Sequence, residues 1–150
     1  MVNRFEKLTT GISQIYKSIQ KIKRHHMSSL GLKSTHVMCI YYLDSCPDGL
    51  TAADLCHMCG EDKAGISRIL SELERHGFIQ YEESGDSKKY RAKARLTPNG
   101  KRYAARINKL ILQTVIDAGD NITDEDREIF YRVLSTISKN LNQICAHFND

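Results

Sequence analysis

The 150-residue chain contains no tryptophan and only two prolines, and no apolar run in it approaches the ~18 residues of a membrane span. Residues 1–6 lack the apolar stretch of a secretory signal, and no low-complexity tract indicates long disorder. These absences argue against membrane-spanning, secreted and disordered proteins. We therefore expect a single soluble cytoplasmic domain, residues 1–150, in which the 41% of hydrophobic residues form one core.

Motifs for the common enzyme chemistries are also missing: there is no Gly-rich phosphate loop, no paired-carboxylate motif and no Ser, His and Asp set. Cys56 and Cys59 have the spacing of zinc ligands, yet no second pair completes a tetrahedral site. We expect no catalytic residue, metal or cofactor, and we interpret Cys39, Cys56 and Cys59 as core residues with free thiols. A minor alternative is a transition-metal site where the first two helices meet, formed from His25, His26, His36 and Cys39.

The net charge of +4 is unevenly distributed along the chain. Residues 1–33 carry seven Lys and Arg against one Glu, and residues 77–106 carry eight Lys and Arg against three acidic residues. Residues 51–76, which lie between these basic blocks, contain more acidic than basic residues. The two basic blocks indicate an anionic partner that contacts particular segments of the protein.

Both ends of the chain are predicted to be amphipathic helices that pair two subunits. Their apolar residues recur at alternating spacings of three and four, the a/d pattern of coiled coils. We predict that residues 1–33 and 107–150 form dimerisation helices, because seams this narrow favour interleaving with a second chain. Packing of the two helices within one subunit is the alternative. The predicted dimerisation residues are Phe5, Leu8, Ile12 and Ile15 in the first helix and Phe130, Leu134, Ile137, Leu141 and Ile144 in the last.

The middle of the chain, residues 34–106, has the pattern of a winged helix-turn-helix in a mainly α fold with a small β-wing. After a predicted helix over residues 34–46, Thr51 and Asp54 form a capping box that begins a second, short helix. A third helix is predicted over residues 62–76, after a tight turn that contains a glycine. Two short helices in this arrangement are typical of DNA-binding domains.

The wing is predicted where the apolar period changes from 3.6 residues to 2. This change predicts strands over residues 78–83 and 90–96, joined by a turn at residues 84–87. Thr97 and Pro98 then begin another helix. Its predicted buried stripe consists of Tyr103, Ile107, Leu110, Ile111 and Val115.

The helix over residues 62–76 carries the predicted DNA-reading face. If its isoleucines and leucines turn inward, the 100° step per residue turns small and polar side chains outward, where they suit base edges in a major groove. Lys63 and the free N–H groups at the helix start are expected to hold a phosphate, whereas Glu72 is expected to repel phosphates. Cations at the wing tip suit the adjacent minor groove. The predicted DNA-binding residues are Lys63, Ala64, Ser67, Arg68 and Ser71 in the helix and Lys88, Lys89 and Arg91 in the wing.

The run LERHGFI at residues 73–79, followed by LTPNG at residues 96–100, resembles the MarR family of bacterial transcriptional regulators. In that family a helix end, a wing and a helix start recur at this distance. Residues 53–55 and 63–68 also match its helix-turn-helix segments, so the resemblance covers residues 30–106. It implies a homodimer with interleaved terminal helices that binds a near-palindromic operator, usually as a repressor, and is released by a small phenolic or other ligand, a metal ion or an oxidant.

We therefore expect a cytoplasmic, dimeric transcriptional regulator that binds a pseudo-palindromic operator in double-stranded DNA and responds to a small effector. The alternative is a dimeric winged-helix protein-interaction module whose acidic third helix faces a protein partner. Substitution of Arg68 distinguishes the two functions, because only groove reading requires its guanidinium.

Overall fold

The structure, a computed structural model, describes residues 2–81 and 92–148. This part of the chain forms six helices and two short strands. Their bounds are Val2–Ser28 (α1), His36–Ser45 (α2), Ala52–Cys59 (α3), Lys63–Arg75 (α4), Ile79–Tyr81 (β1), Ala94–Leu96 (β2), Pro98–Ala118 (α5) and Asp124–Ala146 (α6). The predicted mainly α fold with a small β-wing is confirmed. None of the described helices combines the length and the apolarity that crossing a bilayer requires.

The chain divides into two compact units, residues 1–110 and residues 111–150. The core of the first unit lies among α2, α3, α4 and the strands. Ile40, Leu55 and Ile66 are completely inaccessible there. All the isoleucines and leucines of α4 face this core, as predicted from their 3.6-residue period.

Two three-residue strands form the base of the wing. β1 and β2 pair antiparallel, with Ile79 opposite Leu96 and Tyr81 opposite Ala94. Leu50 adds a one-residue bridge to β2, exchanging backbone N–H···O bonds of 2.8 and 3.1 Å with Ala94. The predicted second strand is too long at its start, because residues 92 and 93 lie outside β2. The predicted turn at residues 84–87 lies outside the described residues.

Side chains and one glycine set the ends of α3 and α4. In the Thr51 capping box, Thr51 Oγ1 accepts the Asp54 N–H at 3.2 Å and the Asp54 carboxylate accepts the Thr51 N–H at 2.9 Å. Gly60 ends α3 in the left-handed conformation, with φ of 66°. Asp62 then caps α4 by accepting the N–H of Gly65 at 2.6 Å. The two helices are thus connected by a short turn whose geometry is fixed on both sides.

Only the first turns of α5 belong to the core. Its buried residues end at Ile107. In the predicted buried stripe, Tyr103, Leu110 and Ile111 are half-buried, and Val115 is 50% exposed. The prediction of a stripe that stays buried as far as Val115 is therefore wrong, because the core of the first unit covers only about the first three turns of the helix.

The second unit consists of the end of α5 and α6, and α6 has no buried residue. Its apolar seam nevertheless contains large side chains that are between 39% and 52% exposed, namely Phe130, Leu134, Leu141 and Ile144, with Ile137 half-buried. The apolar residues predicted for dimerisation in α1, namely Phe5, Leu8, Ile12 and Ile15, are exposed as well. Both predicted seams therefore remain accessible in the single chain.

Candidate nucleic-acid interface

α4 has two faces of opposite character. Its apolar side chains fill the core, and all five residues predicted to read DNA are exposed on the other side. These are Lys63, Ala64, Ser67, Arg68 and Ser71. A face that combines two hydroxyls, a methyl group and a guanidinium, with no large apolar side chain among them, matches the width and the polar base edges of a major groove.

Arg68 lies along this exposed face. Its Nε donates to the carbonyl oxygen of Ala64, one turn earlier, at 3.3 Å. The bond draws the guanidinium toward the N-terminal half of α4, which is the part of a recognition helix that contacts base edges.

Acidic groups surround the N-terminus of α4. Asp62 Oδ1 already accepts the N–H of Gly65, and Glu61 precedes it in the turn. The N–H of Gly65, one of the groups at the helix start that were expected to hold a phosphate, is therefore already hydrogen-bonded to Asp62. Lys63, which is exposed at the first position of the helix, supplies the positive charge at this end.

Glu72, on the flank of α4, is held by two residues that follow α1. Lys33 Nζ lies 2.6 Å from Glu72 Oε1, and His36 Nε2 lies 2.8 Å from Glu72 Oε2. Chiefly the hydrogen bond from Lys33, and then that from His36, lower the pKa of Glu72 to about 2. Lys33, 39 positions earlier in the sequence, thus places a cationic group on Glu72, the carboxylate that the sequence predicts to repel phosphates beside the reading face.

His36, the first residue of α2, is 1% exposed and has a partner at each ring nitrogen. The backbone N–H of Lys33 donates to Nδ1 at 3.3 Å, so Nε2 carries the hydrogen that is donated to Glu72. Burial lowers the pKa of His36 below its ordinary value of 6.5, against the opposing effect of the Glu72 carboxylate. Neutral His36 thus connects the start of α2 to the recognition helix.

The described part of the wing supplies fewer residues to the candidate site than α4 does. Lys88, Lys89 and Arg91, the predicted wing contacts, lie outside the described residues. Lys93, next to β2, is exposed. Arg95 Nη2 donates to the carbonyl oxygen of Asp48 at 3.1 Å, and this bond ties β2 to the turn before α3.

The cysteines show a contact that sequence reasoning missed. Cys39 is buried as predicted, and Cys56 and Cys59 are half-buried. Cys39 Sγ and Cys59 Sγ lie 3.7 Å apart. The available signal was that both residues face inward on consecutive helices. Across residues 2–81 and 92–148, no three His, Cys, Asp or Glu side chains are grouped as a metal site would require.

Comparison with known proteins agrees with this architecture. The sequence model of the MarR family matches residues 30–89. A MarR protein of Peptoclostridium difficile is 17% identical with a TM-score of 0.80, over 91% of this chain and 88% of its own. A MarR family regulator of Listeria monocytogenes, solved with a 26mer DNA, is 18% identical with a TM-score of 0.76, over 89% of this chain and 87% of its own. The chain of the S. aureus MepR–DNA complex is 17% identical with a TM-score of 0.78, over 87% of this chain and 93% of its own. No curated protein matches the chain.

The order of helices, the two-stranded wing and the exposed polar face of α4 define a winged helix-turn-helix protein. The sequence match covers three helices, α2, α3 and α4, together with β1. Residues 30–89 are thus similar in sequence to the MarR family, and the fold of the chain is the one that the MarR structures share.

Proposed function

We propose that the protein is a dimeric, sequence-specific DNA-binding transcriptional regulator, acting as a repressor that a small effector releases from its operator. The observation that carries this proposal is α4, whose outer face is small, polar and cationic while its inner face is fixed in the core. The DNA complexes of the Listeria monocytogenes and S. aureus relatives, which have the same fold, support it. The proposal includes a cytoplasmic location and no catalytic activity.

In this proposal α4 enters the major groove, and Lys88, Lys89 and Arg91 of the wing approach the neighbouring minor groove. Arg68 reads a guanine through a bidentate contact, and Ser67 and Ser71 contact base edges or phosphates. A two-fold dimer presents two copies of α4 to inverted half-sites about one helical turn apart. The predicted operator is therefore pseudo-palindromic.

Substitution of Arg68 tests this function. Bound sequences are first selected from a random DNA pool, and the affinity of Arg68→Ala for the selected site is then measured at fixed salt. We expect a loss of about 1–3 kcal/mol and a relaxed preference at one base pair of each half-site. Arg132→Ala, which removes the same charge from the exposed face of α6, is the matched control and should bind as the wild type does.

Two outcomes would contradict the proposal. Selection that yields no enriched sequence would reject specific DNA reading and would favour the protein-interaction module. Equal affinities for Arg68→Ala and Arg132→Ala would reject α4 as the reading element. The pairing of Glu72 with Lys33 weakens the argument that acidic residues of α4 face a protein partner.

A further inference from the structure

Arg68, the proposed base-reading residue, lies four positions before a carboxylate on the same helix. Residues at this spacing are one turn and about 40° apart around the helix axis, so Arg68 and Glu72 are placed for an i,i+4 ion pair. Such a pair would occupy the guanidinium that guanine recognition requires. Across residues 2–81 and 92–148, however, no carboxylate forms an ion pair with Arg68.

The carboxylate of Glu72 has partners from outside α4 instead. Lys33 Nζ lies 2.6 Å from Oε1, and His36 Nε2 lies 2.8 Å from Oε2, so each oxygen is occupied. The guanidinium of Arg68 is directed the other way along the helix, because its Nε donates to the carbonyl oxygen of Ala64 on the preceding turn. The acidic and the basic group of α4 are therefore kept apart.

We propose that Lys33 is a positioning residue for DNA reading, which holds the Glu72 carboxylate and thereby leaves Arg68 available to a base edge. Lys33 acts through Glu72 and itself contacts no base. His36 cannot replace it, because the buried imidazole donates only to Oε2. Without Lys33, Oε1 of Glu72 loses its cation, and Arg68 one turn earlier can take that place.

The effect on DNA binding, which rests on the proposed function, is a loss of discrimination between sequences. An Arg68 side chain that is paired with Glu72 must leave the carboxylate before it binds guanine, whereas nonspecific binding through phosphates requires no such exchange. An exposed i,i+4 ion pair shifts an equilibrium about twofold. A dimer uses two copies of Arg68, so the preference for the operator should fall about fourfold.

The experiment compares two DNAs, the selected operator and the same operator with the base pair read by Arg68 changed in both half-sites. Arg68→Ala identifies that base pair as the position where preference relaxes. For Lys33→Ala, we expect the ratio of the two affinities to be about fourfold lower than for the wild type. The side chain of Lys33 is 65% exposed, so its removal should not prevent folding.

A second substitution separates this positioning role from a purely structural one. Adding Glu72→Gln to Lys33→Ala should restore the wild-type ratio, because glutamine can still accept from His36 but has no charge to pair with Arg68. Lys109→Ala, which removes the same charge from the exposed side of α5, is the matched control and should keep the ratio. A crystal structure of DNA-free Lys33→Ala should show Glu72 within about 4 Å of the Arg68 guanidinium.

Several results would overturn the inference. If Lys33 contacts phosphate directly, Lys33→Ala weakens binding to both DNAs equally and Glu72→Gln does not restore it. An unchanged ratio in Lys33→Ala would also reject the role of Lys33, as would a variant structure in which Glu72 pairs with Arg75 and leaves Arg68 unpaired. Wild-type protein that selects no DNA would reject the proposed function instead, while the variant structure still tests the ion pair.

Discussion

His36 is a histidine in a protein core, and its two hydrogen bonds explain how the core accommodates it. A buried imidazole without partners costs free energy, but here Nδ1 accepts from Lys33 and Nε2 donates to Glu72. The bond to Glu72 joins the start of α2 to α4, and Lys33 completes the cluster at the surface. One histidine thereby fixes the orientation of the helix that carries the proposed reading face.

The buried neutral state of His36 predicts a pH dependence of stability. Its pKa is lowered in the native state, so the unfolded chain takes up the proton first, at its ordinary pKa of 6.5. The stabilisation is therefore complete above pH 6.5 and is lost as the pH falls toward the lower native pKa. Glu72 acts in the same direction at more acidic pH, since its pKa is about 2 against an ordinary 4.5.

Urea unfolding at one fixed protein concentration, between about pH 7.5 and pH 5, tests this prediction. The free energy of unfolding of the wild type should decrease across this range. His36→Gln should show a flatter pH dependence, whatever its absolute stability. The control is His57→Gln, changed at an exposed histidine of α3, which should keep the wild-type slope. Parallel curves for the wild type and His36→Gln would contradict the assignment.

At the scale of elements, the start of α5 is pressed against the backbone before β1. Gly100 is buried in the first turn of α5, and a Cβ on it would overlap the carbonyl oxygen of Phe78. The same oxygen accepts the Thr97 N–H at 3.0 Å, and Thr97 Oγ1 donates to the carbonyl oxygen of Gly77 at 2.6 Å. This close contact locks the wing to the helix that follows it.

Gly100→Ala should therefore be destabilising even though alanine favours a helix. The added methyl group forces the backbone of Phe78 or the start of α5 to move, which we expect to cost about 3 kcal/mol. Lys101→Ala, on the exposed side of the same turn, should change the free energy of unfolding by less than about 0.5 kcal/mol. A Gly100→Ala variant as stable as Lys101→Ala would show that this contact is loose.

The elements that the sequence predicted are those specified by neighbouring residues. The bounds of α3 and α4 follow from the Thr51 capping box, from Gly60 and from the period of the apolar residues, all of which are local signals. The bridge from Leu50 to Ala94 and the pairing of Lys33 with Glu72 join residues about 40 positions apart. No periodicity encodes such partners, so the sequence predicts Glu72 as a residue that repels phosphates but does not predict its pairing with Lys33.

The wing residues remain a prediction from the sequence, and salt dependence tests them. If Lys88 and Lys89 neutralise phosphates, their double substitution by alanine should make the plot of log affinity against log salt shallower by up to about 2 units. Affinity at low salt should fall for every DNA sequence alike. The control is the double variant Lys109→Ala and Lys139→Ala, which loses the same charge from α5 and α6 and should keep the wild-type slope. Equal slopes in both double variants would exclude phosphate contact by the wing tip.

At the scale of the whole molecule, the terminal helices expose a large apolar surface to water, which costs free energy unless another surface covers it. Phe5 of α1 is 70% exposed, and Phe130 and Ile144 of α6 are about half exposed. Apolar residues that recur along one side of a helix stabilise the protein when another surface excludes water from them. A second copy of the chain, which provides the same seams by two-fold symmetry, is the partner that the proposed dimer supplies. The spacing of two reading helices then depends on these seams.

Substitution of a lysine into the apolar seam of α6 should shift the dimer toward monomers. We expect the wild type to sediment at twice the chain mass of 17.1 kDa. Leu134→Lys should weaken association by roughly tenfold or more, because symmetry places two charges among apolar side chains. It should also weaken operator binding, since each half-site is then bound independently. Ser135→Lys, about 100° further round the helix and on its polar side, is the matched control and should remain dimeric. A monomeric wild type, or equal dissociation of the two variants, would show that this seam does not join the subunits.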